Sequence, residues 1–77
     1  MIKEGQIYRE KRVPRWRKNG PDLYVVTKAE YSVWVIYNDG FTDSVGRAWV
    51  EEDCDLVAEY PTWQEAVNAP EFKRGER

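Results

Sequence analysis

Five cations surround one tryptophan and one proline in a single stretch near the start of the chain. The stretch covers residues 11–20 and reads KRVPRWRKNG; its candidate contact residues are Lys11, Arg12, Arg15, Trp16, Arg17 and Lys18. Lys and Arg neutralise the phosphates of a nucleic-acid backbone, and an aromatic ring stacks on an unpaired base. The stretch therefore predicts a binding loop, and nucleic acid is the partner that its chemistry favours.

The Trp16 ring has two interpretations. In one, it stacks on a base while the neighbouring cations contact phosphates. In the other, it folds back to cover one end of the protein, because an exposed indole forfeits much of the stabilisation that its burial brings. The sequence leaves both open.

The charge of the chain is divided between two parts. Residues 1–28 hold eight Lys/Arg and three Asp/Glu, residues 29–77 hold four and eleven, and the net charge is −2. Such a division steers an anionic partner toward the basic part. It equally allows the two parts to attract each other, within the fold or between two copies in a homo-oligomer.

The residue types that most enzymes need are missing. The chain has no histidine, and Cys54 is its one cysteine. This removes the commonest general base and the commonest metal ligand, so we expect no enzyme, no metal site and no cofactor. Carboxylates next to Cys54 should raise its thiol pKa and make it a poor nucleophile.

An acidic run and two turn aromatics form the alternative candidate, a protein-binding surface made of Tyr31, Phe41, Glu51, Glu52 and Asp53. The acidic run lacks the spacing of a calcium site, and so does the segment NDGFTD at residues 38–43, which a tight hairpin turn explains. Exposed aromatic residues in turns are common at binding sites.

The elements that must position these residues are mostly strands. Alternating and β-branched runs predict strands at residues 6–10, 23–28, 32–37, 45–50 and 55–60. A helix over 62–69 follows, since Thr62 and Glu65 form a capping box and Pro70 limits its length. We expect one domain over residues 1–72 and a frayed tail over 73–77.

The third strand is apolar on both faces, with Val33, Val35 and Tyr37 on one and Trp34 and Ile36 on the other. Both faces then need a covering. The helix that begins near Trp63 is the favoured covering for one of them, and an open stacking platform is the alternative.

These elements predict a mainly β fold, a small five-stranded antiparallel barrel with a short C-terminal helix. The opening residues 2–8, in which Gly5 precedes a hydrophobic strand, resemble the SH3-like barrels, a group that includes SH3, Tudor and KOW-type modules. The resemblance implies a module that binds and does not catalyse. The chain departs from peptide-binding SH3 domains in its basic first loop, and it does not repeat the KOW glycine pattern.

Two further segments, residues 35–43 and 60–66, resemble small accessory proteins encoded by phages of Gram-positive bacteria. That resemblance implies the alternative function, a protein-binding inhibitor or modulator of host machinery or host defence. With one cysteine, no signal peptide and no long apolar run, we expect a cytoplasmic protein with no membrane partner, in the host cytoplasm if phage-encoded.

Overall fold

The chain forms a five-stranded antiparallel sheet with three short helices. The computed structural model describes residues 1–12 and 22–74. In chain order the elements are β1 (Gln6–Glu10), β2 (Leu23–Lys28), β3 (Val33–Tyr37), β4 (Thr42–Val45), α1 (Arg47–Asp53), β5 (Cys54–Glu59), α2 (Trp63–Val67) and α3 (Pro70–Arg74). The strands lie in the order β4-β3-β2-β1-β5, and each neighbouring pair is antiparallel.

The sheet is open, because β4 and β5 form its two edges and are not hydrogen-bonded to each other. The predicted mainly β, five-stranded antiparallel class is thus confirmed. Closure into a barrel is not.

Four of the five predicted strands correspond to β1, β2, β3 and β5 within one residue at each end. The strand predicted at 45–50 is wrong. The fourth strand lies earlier, at Thr42–Val45, and Arg47–Asp53 is helix α1. Ala and Glu within that run favour helix over strand. The chain must also cross from one edge of the sheet to the other between β4 and β5, and α1 makes that crossing.

Two apolar cores cover the two faces of the sheet. On one face, Val50 and the partly buried Trp49 of α1 pack against buried residues of the strands, which include Tyr8, Tyr24, Val26, Val33 and Val35. On the other, α2 and α3 supply Ala66, Ala69 and Phe72 against Ile7, Leu23 and Val25. The helix that begins near Trp63 therefore covers this face over β1 and β2, as predicted, but Trp34 on β3 stays 45% exposed.

The predicted helix over 62–69 is shorter than expected and is followed by a second one. Its predicted N-cap is present: Thr62 Oγ1 accepts a hydrogen bond from the Glu65 backbone N–H at 3.3 Å. Pro70 is the first residue of α3, a position where proline needs no N–H partner. Helix α3 takes in residues 73 and 74, which the sequence assigned to a tail.

Gly5 joins the start of the sheet to the segment before α2. Its φ is +90°, its N–H donates to the Val26 carbonyl at 2.9 Å, and its carbonyl accepts from Tyr60 N at 3.0 Å. A Cβ at this position would lie 2.0 Å from the Tyr60 carbonyl oxygen. Only glycine fits both the backbone angle and this close approach.

A buried Gln6 side chain ties the N-terminus to the sheet. Its Oε1 accepts hydrogen bonds from Lys3 N at 2.9 Å and from the Tyr8 hydroxyl at 2.8 Å. Its Nε2 donates to the Met1 carbonyl at 3.1 Å and to Glu59 Oε2 at 3.0 Å. All of the hydrogen-bonding groups of this buried amide are therefore satisfied, as burial of a polar side chain requires.

Candidate functional site

The basic stretch leaves and re-enters the sheet at one end, which we call the loop end. There β1 and β3 finish and β2, β4 and β5 begin. The opposite end, where β2 turns into β3, is called the turn end.

Glu10 and Asp22 close the base of the basic stretch. The Glu10 N–H donates to the Asp22 carbonyl at 3.2 Å, and the Asp22 N–H donates to Glu10 Oε2 at 2.9 Å. Glu10 is 8% exposed, and its carboxylate also hydrogen-bonds the Tyr24 side chain. The two ends of the stretch are therefore held together by backbone and side-chain bonds.

Lys11, the first cation of the stretch, contacts the acidic segment. Its Nζ donates to the Glu52 carbonyl at 3.1 Å and lies 3.9 Å from Asp55 Oδ1, and its backbone N–H donates to the Asp53 carbonyl at 2.8 Å. At Lys11, the basic part of the chain therefore contacts the acidic part directly. Lys11 anchors the stretch to the start of β5.

Arg12 is exposed. The other residues predicted to bind, Arg15, Trp16, Arg17 and Lys18, lie outside the described residues. The structure therefore locates where the predicted interface begins and where the chain returns from it, at Asp22.

An aromatic cluster of Tyr24, Tyr37, Phe41 and Trp49 lies beneath the loop end. The Tyr24 ring meets Tyr37 edge-on at 4.8 Å and Trp49 edge-on at 5.3 Å, while Phe41 stacks on Tyr37 at 5.7 Å. Burial raises the pKa of both tyrosines, and nearby carboxylates, Glu10 for Tyr24 and Asp43 for Tyr37, raise it further. Their hydroxyls stay neutral in the physiological range.

The alternative protein-binding residues divide between the two ends of the sheet. Phe41, 59% exposed, lies at the loop end, and so do the exposed Glu51 and Glu52 and the half-buried Asp53 at the end of α1. Tyr31, 94% exposed, lies at the turn end, separated from Phe41 by the length of β3, about 16 Å. The structure brings four of the five residues to one end of the sheet and leaves Tyr31 apart.

Cys54 is buried beside carboxylates. Burial raises the pKa of its thiol to about 12, and Glu10, Asp53 and Asp55 add to the increase, while Lys11 opposes it. The predicted increase in the thiol pKa is confirmed, which leaves the thiol protonated and weakly nucleophilic at neutral pH.

One exposed surface corresponds to the open stacking platform that the sequence left as an alternative and that supplied no candidate site residue. Trp34 is 45% exposed on the same sheet face as α2 and α3. Those helices contact mainly β1 and β2 and leave the surface around Trp34 only partly covered, with Ile36 partly buried against their core. We call this surface the β3–β4 strip; it consists of Trp34, Ile36, Thr42 and Ser44. The alternation of β3 did indicate its outward face. How far the helices would extend across that face was not readable from the sequence.

Other kinds of site have less support among residues 1–12 and 22–74. No group of three or more Cys, Asp or Glu side chains there is placed to hold a metal ion. In the same residues, no helix has both the length and the apolar character needed to cross a membrane. No protein-family model, curated protein or solved structure matches the chain.

Proposed function

We propose that this chain is a non-enzymatic binding module whose basic loop, residues 11–22, contacts the backbone of a nucleic acid. The observation that supports this most directly is the closed base of the loop. Because Glu10 and Asp22 are hydrogen-bonded to each other, both ends of the loop join the sheet at one fixed point. A fixed base lowers the ordering cost of bringing several cations to one partner.

The contacts of Lys11 reduce the number of loop cations that are available to bind phosphate. Its ammonium group already has Glu52 and Asp55 as partners, so phosphate contact falls to Arg12, Arg15, Arg17 and Lys18. The carboxylates at the start of β5 then act against an anionic ligand on their own side of the loop end. Binding through the loop is expected to depend strongly on salt.

An SH3-like arrangement is part of the same proposal. Two features support it: β5 returns to pair with β1, and the longest connection between strands joins β1 to β2. The likeness to binding modules of that group agrees with a role in recognition.

The experiment is a binding titration with labelled DNA and RNA at low ionic strength. The full chain is compared with a variant that carries Arg12→Ala, Arg15→Ala, Arg17→Ala and Lys18→Ala. We expect the wild-type chain to bind and the fourfold variant to lose most of that binding. Lys73→Ala, which removes an exposed cation of α3, is the control and should bind like the wild type. Absence of wild-type binding at low salt refutes the proposal.

A second candidate is a protein-binding modulator, acting in the host cytoplasm if the chain is phage-encoded. The observation that favours it is that Phe41, Glu51 and Glu52 are all exposed at the loop end of the sheet. Its test is capture of one stoichiometric protein that survives nuclease treatment. Replacement of Glu51, Glu52 and Asp53 by Lys should abolish the capture, and unchanged capture would exclude this surface.

A further inference from the structure

The β3–β4 strip combines an exposed indole with hydroxyl side chains and no carboxylate. Trp34 pairs with Ser44 across β3 and β4, and Ile36 pairs with Thr42. Asp43, the acidic residue of β4, is the register partner of Val35 and interacts with Tyr37, so it lies on the opposite face. The indole of Trp34 is thus accessible, and none of the four residues of the strip is acidic.

A lysine is the register partner of Trp34 on the neighbouring strand. This residue, Lys28, is exposed at the end of β2. Directly opposed residues in neighbouring antiparallel strands have Cβ atoms about 5 Å apart, which is within reach of a long side chain. Thr27 Oγ1 donates to the Trp34 carbonyl at 3.2 Å and so joins the strands at the irregular pairing between Val26 and Lys28.

Lys28 also lines a depression of about 340 Å³ at the turn end, together with Lys3. Two acidic residues line it as well. Glu4 Oε2 accepts a hydrogen bond from Trp63 N at 3.0 Å, Glu30 lies in the exposed turn, and the two glutamates balance the charge of the two lysines. Of the two lysines, Lys28 is the one that is in register with Trp34.

The edge of β4 is less suited to pairing with a partner strand than its face is to binding through side chains. Asp43 Oδ1 accepts the Ser44 backbone N–H at 2.8 Å, and so this N–H is not offered to an added strand. A partner that extends the sheet would need such groups free. The accessible chemistry of the strip is consequently that of its side chains.

We infer that the β3–β4 strip is a stacking platform for an unpaired base of single-stranded nucleic acid, with Trp34 as the stacking ring and Lys28 as the neighbouring phosphate contact. This inference rests on the proposed function, which it deepens by naming the strand state of the ligand. An indole next to an ammonium group meets both requirements of a single strand, a ring for the base and a cation for the backbone. A duplex cannot use the ring, because its bases are already stacked.

The test measures binding of a labelled single strand of about 16 nucleotides, and of the matching duplex, by fluorescence anisotropy. Trp34→Ala should weaken single-strand binding by about 5- to 150-fold, the loss of one stacked base, and should leave duplex binding unchanged. Trp34→Phe should retain most of the affinity. Leu56→Ala, which truncates an exposed apolar side chain on the edge strand β5, is the matched control and should bind like the wild type.

The outcomes separate this inference from the loop proposal. If the wild type binds and Trp34→Ala binds equally well, the platform is refuted and the loop proposal stands. If Trp34→Ala loses binding but the fourfold loop variant does not, the loop proposal fails and the platform stands. Equal losses of affinity for single strand and duplex in Trp34→Ala would also overturn the platform. A wild-type dimer that Trp34→Ala converts to a monomer would overturn it as well, since a second copy would then cover the strip.

Discussion

Lys11 and Asp55 join the basic loop to the start of β5, with Nζ 3.9 Å from Oδ1. The same ammonium group donates to the Glu52 carbonyl at 3.1 Å. The contact spans more than forty residues of sequence. It divides the cations of the loop into one that holds the loop in place and others that are available to a partner. This division makes the loop proposal open to measurement one residue at a time.

Lys11→Met and Arg12→Met should affect nucleic-acid binding differently. Arg12→Met removes one phosphate contact and should reduce the steepness of log K against log salt by about 0.7 to 0.9. Lys11→Met should leave that slope unchanged and should lower the free energy of unfolding by at most about 1 kcal/mol, since the pair is exposed. Equal slope changes in both variants would show that Lys11 contacts phosphate as well.

Gly5→Ala should severely destabilise the fold. The new Cβ would meet the Tyr60 carbonyl oxygen, which cannot retreat without loss of the bond from Tyr60 N to the Gly5 carbonyl. With a φ of +90° in addition, we expect a loss of at least about 3 kcal/mol in urea unfolding. Gly46→Ser, at a site with φ −73° and open space around it, is the control and should change stability by less than about 0.5 kcal/mol. Similar effects at both glycines would contradict the account.

Gln6→Met should cost about 2 to 3 kcal/mol of unfolding free energy. Methionine matches the size of glutamine but leaves the Tyr8 hydroxyl and the Glu59 carboxylate without their amide partner. The same replacement at the exposed Gln64 should be nearly neutral. A neutral result at Gln6 would mean that water replaces the amide, and it would remove this network from the description of the core.

Stability should fall at alkaline pH. The folded pKa of Cys54, about 12, exceeds its ordinary value of 9.0, so the stabilisation is complete below pH 9 and is lost as the pH rises toward 12. The pKa values of Tyr8, Tyr24 and Tyr37 are also raised, so their ionisation lowers the free energy of unfolding further above pH 10. Each group contributes a slope of up to about 1.4 kcal/mol per pH unit.

Urea midpoints measured across this pH range check that expectation. Cys54→Ala should delay the onset of the decline from about pH 9 to about pH 10, where tyrosine ionisation takes over. A wild-type stability that stays constant from pH 9 to pH 11 would show that these groups ionise as easily in the folded chain as in the unfolded one.

Sequence patterns predicted the strands, the helix cap and the turn that depend on neighbouring residues. The β-branched runs of β2 and β3 form strands, the Thr62 N-cap starts α2, and Gly40, with φ +92°, completes the turn after β3. Each of these depends on residues only a few positions apart.

The parts that were missed depend on distant contacts. The residues around Trp49 and Val50 show a weak apolar alternation that is compatible with a strand. They form a helix because the chain must cross the sheet between its two edges. Trp34 is exposed because α2 and α3 lie mainly over β1 and β2. Lys11 meets Asp55 because β5 pairs with β1, a pairing that charge counts cannot reveal.

The salt dependence of nucleic-acid binding tests the central claim most directly. Affinity for a labelled oligonucleotide is measured from about 50 to 200 mM salt with the wild-type chain and with the fourfold loop variant. The four loop cations should contribute about −2.8 to the slope on single strands and about −3.6 on duplex DNA, and the loop variant should lose that contribution. Lys28, as a phosphate contact for single strands, would add about −0.7 that the loop variant keeps. A wild-type chain that does not bind at the lowest salt, or a loop variant that keeps the full slope, would contradict the claim.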